Sequence, residues 1–426
     1  MRVHINSSGC DCDDAANPHL PALIDVDAAR DLALSLVEPL KIFETLPLSQ
    51  TLGRIAAAPV FAPAAMPAFD NSAMDGFALR AAELAPDRPL PISGCVAAGQ
   101  SPQPLPPGTA MQIFTGAPLP AGADAVIKIE DIVETNSQIT APGVTPRPGQ
   151  NIRMAGSDQA KGTRLLLAGQ KIAAHHIGLL AALGIEHACV ARRPRVGVMS
   201  TGNELDRNAP AGARIHDANR PMLLALAHSF GADIIDLGIV PDTADATTNA
   251  LTKAAERCDL ILTSGAVSMG GKDHMRDAVL QAGGRIDGWR VAIKPGKPVM
   301  FGRIGSAIVT GLPGNPFAAF VGFHLFAAAQ LEKLAGAKPQ PLVCVPAQAA
   351  FDWQLKAGRA EVFPVRLLGY ARSGPPRLER LGQGVSATLY PLSAADGIAM
   401  VPRETTRIAS GDTLQWYPFT SKGACA

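Results

Sequence analysis

Several short stretches of this 426-residue chain combine acids, hydroxyls, glycines and lysines at spacings that suit a phosphorylated anion. STGNEL carries Ser200, Thr201 and Glu204, Asp242 and Thr243 follow Pro241, SGAVSMGGKD runs from Ser264 through Ser268 to Asp273, and GLPGNP holds Pro313 and Pro316. Hydroxyls, glycines and helix-start amides are the parts that bind phosphate. Glu204, Asp242 and Asp273 are candidate ligands for Mg²⁺, a hard cation that takes oxygen donors. KPGKP places Lys294 and Lys297 on a stiff turn, an arrangement that attracts an anion by charge. Upstream, FDNSAMDGFALR (69–80) packs Asp70 and Asp75 with Asn71 and Ser72 beside a glycine, and IFTGAPLP (113–120) offers the Thr115 hydroxyl and the Gly116 amide. Each string alone reads as an ordinary turn. Four of them at the strand ends of one sheet read as a site.

The elements that must position these strings alternate in type. Apolar, β-branched runs at 195–201, 233–240, 259–265 and 307–314 predict strands, and helical stretches lie near 219–230, 243–257, 273–283 and 316–335. Such alternation implies a doubly wound, mostly parallel sheet covered on both faces, over residues 193–337. Ligands of such sheets bind at the carboxyl ends of the strands, where the loops above fall. Residues 56–150 are rich in Pro, Ala and Gly, with short β-branched pieces at 111–114 and 125–132, and predict an inserted, mostly β domain. The flanks, 21–55 and 151–192, form a discontinuous linker domain. Apolar spacing (Ala29, Leu32, Ala33, Leu36, Leu40, Ile42) predicts a helix over 26–46, and a second helix in HHIGLLAALGI precedes a short exit strand. Beyond Pro-Gln-Pro at 339–341, residues 338–426 predict a small C-terminal β barrel or sandwich. Residues 1–20 read as a flexible leader.

Composition sets outer limits. Lys plus Arg total 38 against 37 Asp plus Glu, with no block of like charge, so neither nucleic acid nor an anionic membrane is an expected partner. The leader holds Asp11, Asp13 and Asp14 rather than an apolar signal region, and the most apolar stretch, 316–331, is broken by His324 and Gln330. A cytoplasmic location follows. The 7 cysteines are scattered, which argues against a disulfide framework, and Cys10 and Cys12 lack a second pair at metal-ligand spacing.

Taken together, FDNSAMDGFA, FTGAPLP, TGNEL, IHDANR (215–220), SGAVSMGGKD, KPGKP and GLPGNP resemble, in order and spacing, the molybdopterin molybdenumtransferases, whose animal relatives form the C-terminal part of gephyrin. The resemblance covers nearly the whole chain after the leader. It implies an elongated four-domain protomer, a homodimer, and a Mg²⁺-dependent reaction. In that reaction adenylylated molybdopterin and molybdate give the molybdenum cofactor and AMP. It also implies as partners the molybdopterin adenylyltransferase and the cofactor-receiving enzymes. Carried over residue by residue, Asp70 and Thr115 belong to the active cleft, with Glu204, Asp242 and Asp273 as the acidic, metal-holding set. Ser264, Gly265, Ser268, Asp217, Arg153, Asp158, Pro313 and Pro316 fall on substrate-binding positions, and Lys294 and Lys297 on the anion turn. Four departures stand out. Asn203 replaces an Asp, Ala266 a Gly, Arg290 a Lys, and Met154 to Ser157 interrupt a tract usually richer in charge. They bear on affinity, metal preference and rate rather than on reaction class. Two other readings compete: the preceding adenylyl transfer, whose enzymes consist of the sheet domain alone, and a non-catalytic scaffold such as gephyrin also provides.

Overall fold

The computed structural model describes residues 22–85, 88–205, 214–265, 274–370, 374–382 and 389–419. The first helix, α1 (Val26–Ser35), starts at Asp25, whose carboxylate accepts the Asp27 N–H at 3.0 Å. It stops well short of Leu46. Pro39 cannot continue a helix, and the next apolar residues enter β1 (Phe43–Pro47) instead. Helical spacing at Leu40 and Ile42 was therefore coincidental. Ala29 and Ala33 of α1 are fully buried against Val291, Phe301, Phe317 and Phe326, so the helix packs on the sheet domain rather than with the linker.

The chain then runs outward. Val60–Phe61 pairs with Arg164–Leu166, and Asn71–Ser72 pairs with Ile152–Arg153, both antiparallel. At the far end, β2 (Gly76–Leu79), β3 (Leu90–Val96), β4 (Ala110–Ile113), β5 (Ala125–Lys128), β6 (Val133–Thr135) and β7 (Gln138–Thr140) form a six-stranded sheet in the order β5-β2-β4-β3-β7-β6. Alternating residues serve opposite faces: Phe77 and Leu79 join one apolar cluster, Ala78 the other. A Cβ on Gly76 would sit 1.9 Å from the Ile127 carbonyl oxygen, so only glycine lets β2 and β5 approach this closely.

The return leg carries α2 (Ala174–Ala182) and β8 (His187–Ala191), which pairs with β1 from Phe43↔Ala191 to Pro47↔His187. Leu48, Leu166, Ile172, Leu180 and Val190 make the small core of this stem. Arg54, with its side chain 8% exposed, donates to the Ala191 carbonyl at 2.7 Å and pairs with Glu44 on β1.

The main sheet contains β9 (Arg195–Thr201), β10 (Asp233–Val240), β11 (Leu260–Ser264), β12 (Arg285–Trp289), β14 (Met300–Ile304) and β15 (Ala307–Leu312), with the short β13 (Ile293–Lys294) leaving it. The strand order is β10-β9-β11-β15-β14-β12. The first four strands in this order are parallel, as their apolar runs predict. The two added strands are antiparallel to their neighbours and escape the strand-helix alternation. Gly305 and Ser306 turn β14 back into β15, a hairpin signal visible in the sequence. Val198, Leu260, Leu262 and Ile308 face α3 (Asn219–Ser229) and the long C-terminal helix, while Met199, Ile261 and Val309 face α4 (Ala244–Ala255) and α5 (Met275–Gln281). That long helix comprises α6 (Pro316–Gly322), a π-helical segment (Phe323–Ala327) and α7 (Ala328–Leu334).

The C-terminal strands β16 (Val345–Ala349), β17 (Ala360–Tyr370), β18 (Pro376–Arg380), β19 (Gly397–Val401) and β20 (Thr413–Pro418) close on themselves through a β17–β19 pairing. The domain is thus a barrel, not a sandwich, and β13 adds to its β17 edge. Among the described residues no helix is long and apolar enough to cross a membrane. The leader with Cys10 and Cys12 lies outside the described residues.

Arg54→Ala removes the tie between β1 and the end of β8 and leaves a buried carbonyl unpaired. The expected cost to the stem is about 2–4 kcal/mol. Amide exchange should accelerate over residues 43–62 and 163–191 and stay unchanged in the main sheet. Unaltered exchange in the stem would rule out this role.

Candidate active site

At the carboxyl ends of the parallel strands the loops are tied together by one side chain. Asn219, 7% exposed at the start of α3, donates from Nδ2 to Ser264 Oγ and to the Gly314 carbonyl, both at 2.6 Å. It thereby fixes the loop after β11 to the loop after β15, where Pro313 is buried and Pro316 opens α6. Gly265 reinforces the junction. Its φ is +90°, and a Cβ there would lie 2.6 Å from the Thr201 carbonyl oxygen at the end of β9. Asp217 accepts from Ser200 Oγ at 3.1 Å and from the Arg220 N–H and Nε at 3.1 and 3.0 Å. Arg220 also pairs with Asp236 on β10. Thr201 Oγ1, Thr263 Oγ1 and Asn219 Oδ1 are buried here, with no hydrogen-bond partner among the described residues. Buried polar atoms left unpaired are costly, and they concentrate where a ligand completes the structure.

The acidic set is partly assembled. Asn203, which replaces the expected Asp, accepts the Asp242 N–H on its side-chain oxygen at 3.1 Å, so the loops after β9 and β10 are joined without the second charge. Glu204 is exposed and Asp242 half-buried. Asp273, Ser268 and Ala266 lie outside the described residues, and among the described residues no three His, Cys, Asp or Glu side chains converge on one metal position. Arg290 is buried, with its guanidinium carbon 5.9 Å from the Trp289 ring centre.

A second polar face lies on the inserted domain. The Leu119 N–H donates to the Asp70 carbonyl and the Gly116 N–H to the Ser72 carbonyl, which bring FDNSAMDG and FTGAPLP together. Asp70 Oδ1 accepts the Ala155 N–H at 2.7 Å and Arg153 pairs with Asn71, which bring Arg153 to this face although the sequence assigns it to the linker, while the Asp158 N–H donates to the Met66 carbonyl at 3.0 Å. Thr115 is committed: its N–H and hydroxyl both donate to Asp75 Oδ1, at 2.7 and 2.8 Å. These bonds hold the Asp75 carboxyl below the usual carboxylate range, the backbone bond contributing most. Among the described residues no hydrogen bond or ion pair joins this face to the strand-end loops of the same chain.

The anion turn differs from its expected form. Lys294 lies on β13, opposite Glu361 of the barrel in the register, and its Nζ is 3.2 Å from Glu361 Oε1. The carbonyl of Lys297 accepts the Val291 and Val299 N–H groups. Sequence reasoning missed the roles of Asn219, Ser200 and Glu361, and it could not tell that Asp75 engages Thr115. IHDANR and the acids were visible, but their partners lie elsewhere in the chain.

The comparisons with known proteins match this architecture between residues 24 and 419. The MoeA N-terminal region (domain I and II) matches residues 24–184, a probable molybdopterin binding domain matches 197–333, and the MoeA C-terminal region (domain IV) matches 346–419. A molybdopterin molybdenumtransferase of Haemophilus influenzae is 37% identical over 93% of this chain and 99% of its own length. The chain belongs to the molybdopterin molybdenumtransferase family. A second relative, molybdopterin molybdenumtransferase 2 of Mycobacterium tuberculosis, is 33% identical over 88% of the chain and 95% of its own length. The crystal structure of a MoeA protein of Pyrococcus horikoshii covers 93% of this chain and all of its own, with a TM-score of 0.78 and 28% identity. The matches at 24–184 and 346–419 flank the sheet domain on both sides.

Thr115→Val deletes the hydroxyl bond and leaves the backbone bond, so the Asp75 carboxyl should move part of the way back to its ordinary value. The depressed folded value means that its contribution is present above the ordinary range and is lost as pH falls through the folded pKa. Carboxyl-carbon NMR titration of Asp75 in both proteins checks this, and identical titration curves would refute it.

Proposed function

We propose that this chain is a molybdopterin molybdenumtransferase that inserts molybdate into adenylylated molybdopterin and releases AMP in molybdenum-cofactor assembly. The observation that carries the reading is the Asn219 junction. It holds two glycine-containing loops rigidly at the strand ends, beside buried oxygen atoms that lack partners among the described residues. Such loops present hydroxyls and amides to phosphate groups. Ser264, Gly265, Ser268, Asp217, Pro313 and Pro316 would bind and orient the adenylylated substrate, with Arg153 and Asp158 acting from the inserted domain. Lys294 and Lys297 would draw in molybdate as point charges.

Mg²⁺ fits the residues present. Glu204 and Asp242 are carboxylates without a described ion pair, on loops joined by the Asn203 bond, and oxygen donors of this kind suit a cation that keeps several waters. Asp273 would complete the set. The cation, when bound, supplies positive charge to the phosphate groups of the substrate. The loops themselves hold those groups still and limit the approach of water.

A homodimer would bring the two polar faces together. Phe69, Met74, Phe114 and Met154 are 50%, 41%, 40% and 52% exposed around Asp70 and Thr115, an apolar rim suited to a second protomer. Two-fold symmetry then creates two identical sites, each with Asp70 and Thr115 from one chain and Glu204, Asp242 and Asp273 from the other. The described cysteines 95, 189, 258 and 344 are all free thiols, which supports the reducing cytoplasm as location. The adenylyltransferase would then supply the substrate and molybdenum enzymes would receive the product.

Purified protein given adenylylated molybdopterin, Mg²⁺ and molybdate should release AMP only when molybdate is present. Asp242→Asn should abolish this turnover with little change in melting temperature. Consumption of ATP and molybdopterin without molybdate-dependent AMP release would favour the adenylyltransferase reading, and binding without turnover the scaffold. Sharing of the site has its own test. Asp70→Ala and Glu204→Ala homodimers should both be inactive, whereas their heterodimer should recover up to about half of normal activity. No recovery in the heterodimer would place each site within one chain.

A further inference from the structure

The KPGKP turn belongs to the sheet domain in sequence but is held from the C-terminal barrel. Ile293 and Lys294 pair in parallel with Ala360 and Glu361, and the Ala360 N–H donates to the Ala292 carbonyl at 2.8 Å. The Lys294 side chain is 37% exposed, whereas the Glu361 side chain is only 5% exposed. The carboxylate thus lies on the protein side of the ammonium group. Lys294 cannot move its charge freely, because its departure would take the ammonium group away from a buried carboxylate that it touches at 3.2 Å.

This geometry has an electrostatic consequence. A lysine on a turn attracts an arriving oxyanion with a full unit charge. With a carboxylate 3.2 Å behind it, an anion beyond the first contact meets a dipole whose field falls off faster than that of the lone charge. We propose that Glu361 is a positioning residue that attenuates the anion turn: it fixes the Lys294 ammonium group and lowers the attraction the turn offers to an oxyanion. The attenuation keeps a small dianion exchangeable rather than trapped before the adenylylated substrate arrives. It also makes the barrel part of the site, since the turn takes its position and its charge from β17. This inference rests on the reading of KPGKP as the molybdate-attracting turn.

The test is molybdate binding by isothermal titration calorimetry on the full chain, at low and at near-physiological salt. Glu361→Gln keeps the shape and removes the charge. It should tighten molybdate binding roughly three- to tenfold at low salt and steepen the salt dependence. A merely structural role cannot produce a gain of affinity. Lys294→Gln added to Glu361→Gln should abolish the gain. Glu361→Asp retains the charge but withdraws it by one methylene, and should tighten binding by a smaller factor. If Glu361→Gln does not fold, Glu361→Asp decides alone. Unchanged or weaker binding in the folded variants overturns the proposal. If Lys294→Gln and Lys297→Gln together leave the molybdate affinity of the otherwise unaltered chain intact, the turn is not the anion site, and the failure lies in the underlying reading instead.

Discussion

The buried guanidinium of Arg54 is the bond on which the layout of this molecule depends. It joins β1, where the chain leaves for the inserted domain, to the last residue of β8, where the chain comes back. Closing so long an excursion has an entropic cost that grows only slowly with its length. What it requires is a rigid base. The five-residue β1–β8 register, the small core of Leu48, Leu166, Ile172, Leu180 and Val190, and the two short antiparallel pairs beyond it provide that base. The Asp70 face is thereby held at a fixed place away from the main sheet. A flexible tether would let the face wander, and no partner surface could then meet it in one geometry.

The main sheet solves a different problem. Its strand-end loops must be open enough to receive a phosphorylated ligand and stiff enough to orient it. Stiffness comes from side chains that bridge loops rather than from packing: Asn219 between the β11 and β15 loops, Asn203 between the β9 and β10 loops, and Asp217 between Ser200 and Arg220. Each bridge uses neutral groups or a locally paired charge. The acids that remain without a described partner, Glu204 and Asp242, are therefore not consumed by the architecture. The Asn203 replacement fits this pattern, since an amide oxygen accepts the Asp242 N–H as a carboxylate would while adding no negative charge.

Much of this was legible in the sequence, and the gaps share one cause. The four parallel strands follow from apolar β-branched runs between helices, and short strands after a proline-rich break point to a barrel or sandwich, which only the β17–β19 pairing resolves as a barrel. Features that depend on distant partners did not follow. The helix expected through Leu46 ended early because apolar spacing cannot distinguish a continuing helix from a strand that happens to share its period. Pro39 held the missing information. The β14–β15 hairpin was present as Gly305-Ser306 but was masked by the helix-strand rhythm around it. Thr115 was expected to offer a free hydroxyl, yet that hydroxyl donates to Asp75, a pairing across 40 residues that no local pattern encodes. The same holds for Lys294: two lysines around Pro-Gly look free until the β13–β17 register sets one of them against Glu361.

That last pairing bears on why a near-neutral chain can act on anions at all. With 38 basic and 37 acidic residues, the protein has no long-range field that would concentrate a small oxyanion, and physiological salt would screen one within about 8 Å. Attraction must come from charges close to the site, and each such charge must also be tolerated when no ligand is bound. The fold meets both demands by pairing ions of unequal depth: Lys294 lies outside the more deeply buried Glu361, and Arg54 on the stem lies beneath the more exposed Glu44. In the first case the cation is outermost and remains available to a ligand. In the second the cation is inward and purely structural. Depth therefore distinguishes these two ion pairs, and the distinction follows from solvation: the deeper ion has the greater need of its partner, and the shallower one can exchange part of that partnership for another.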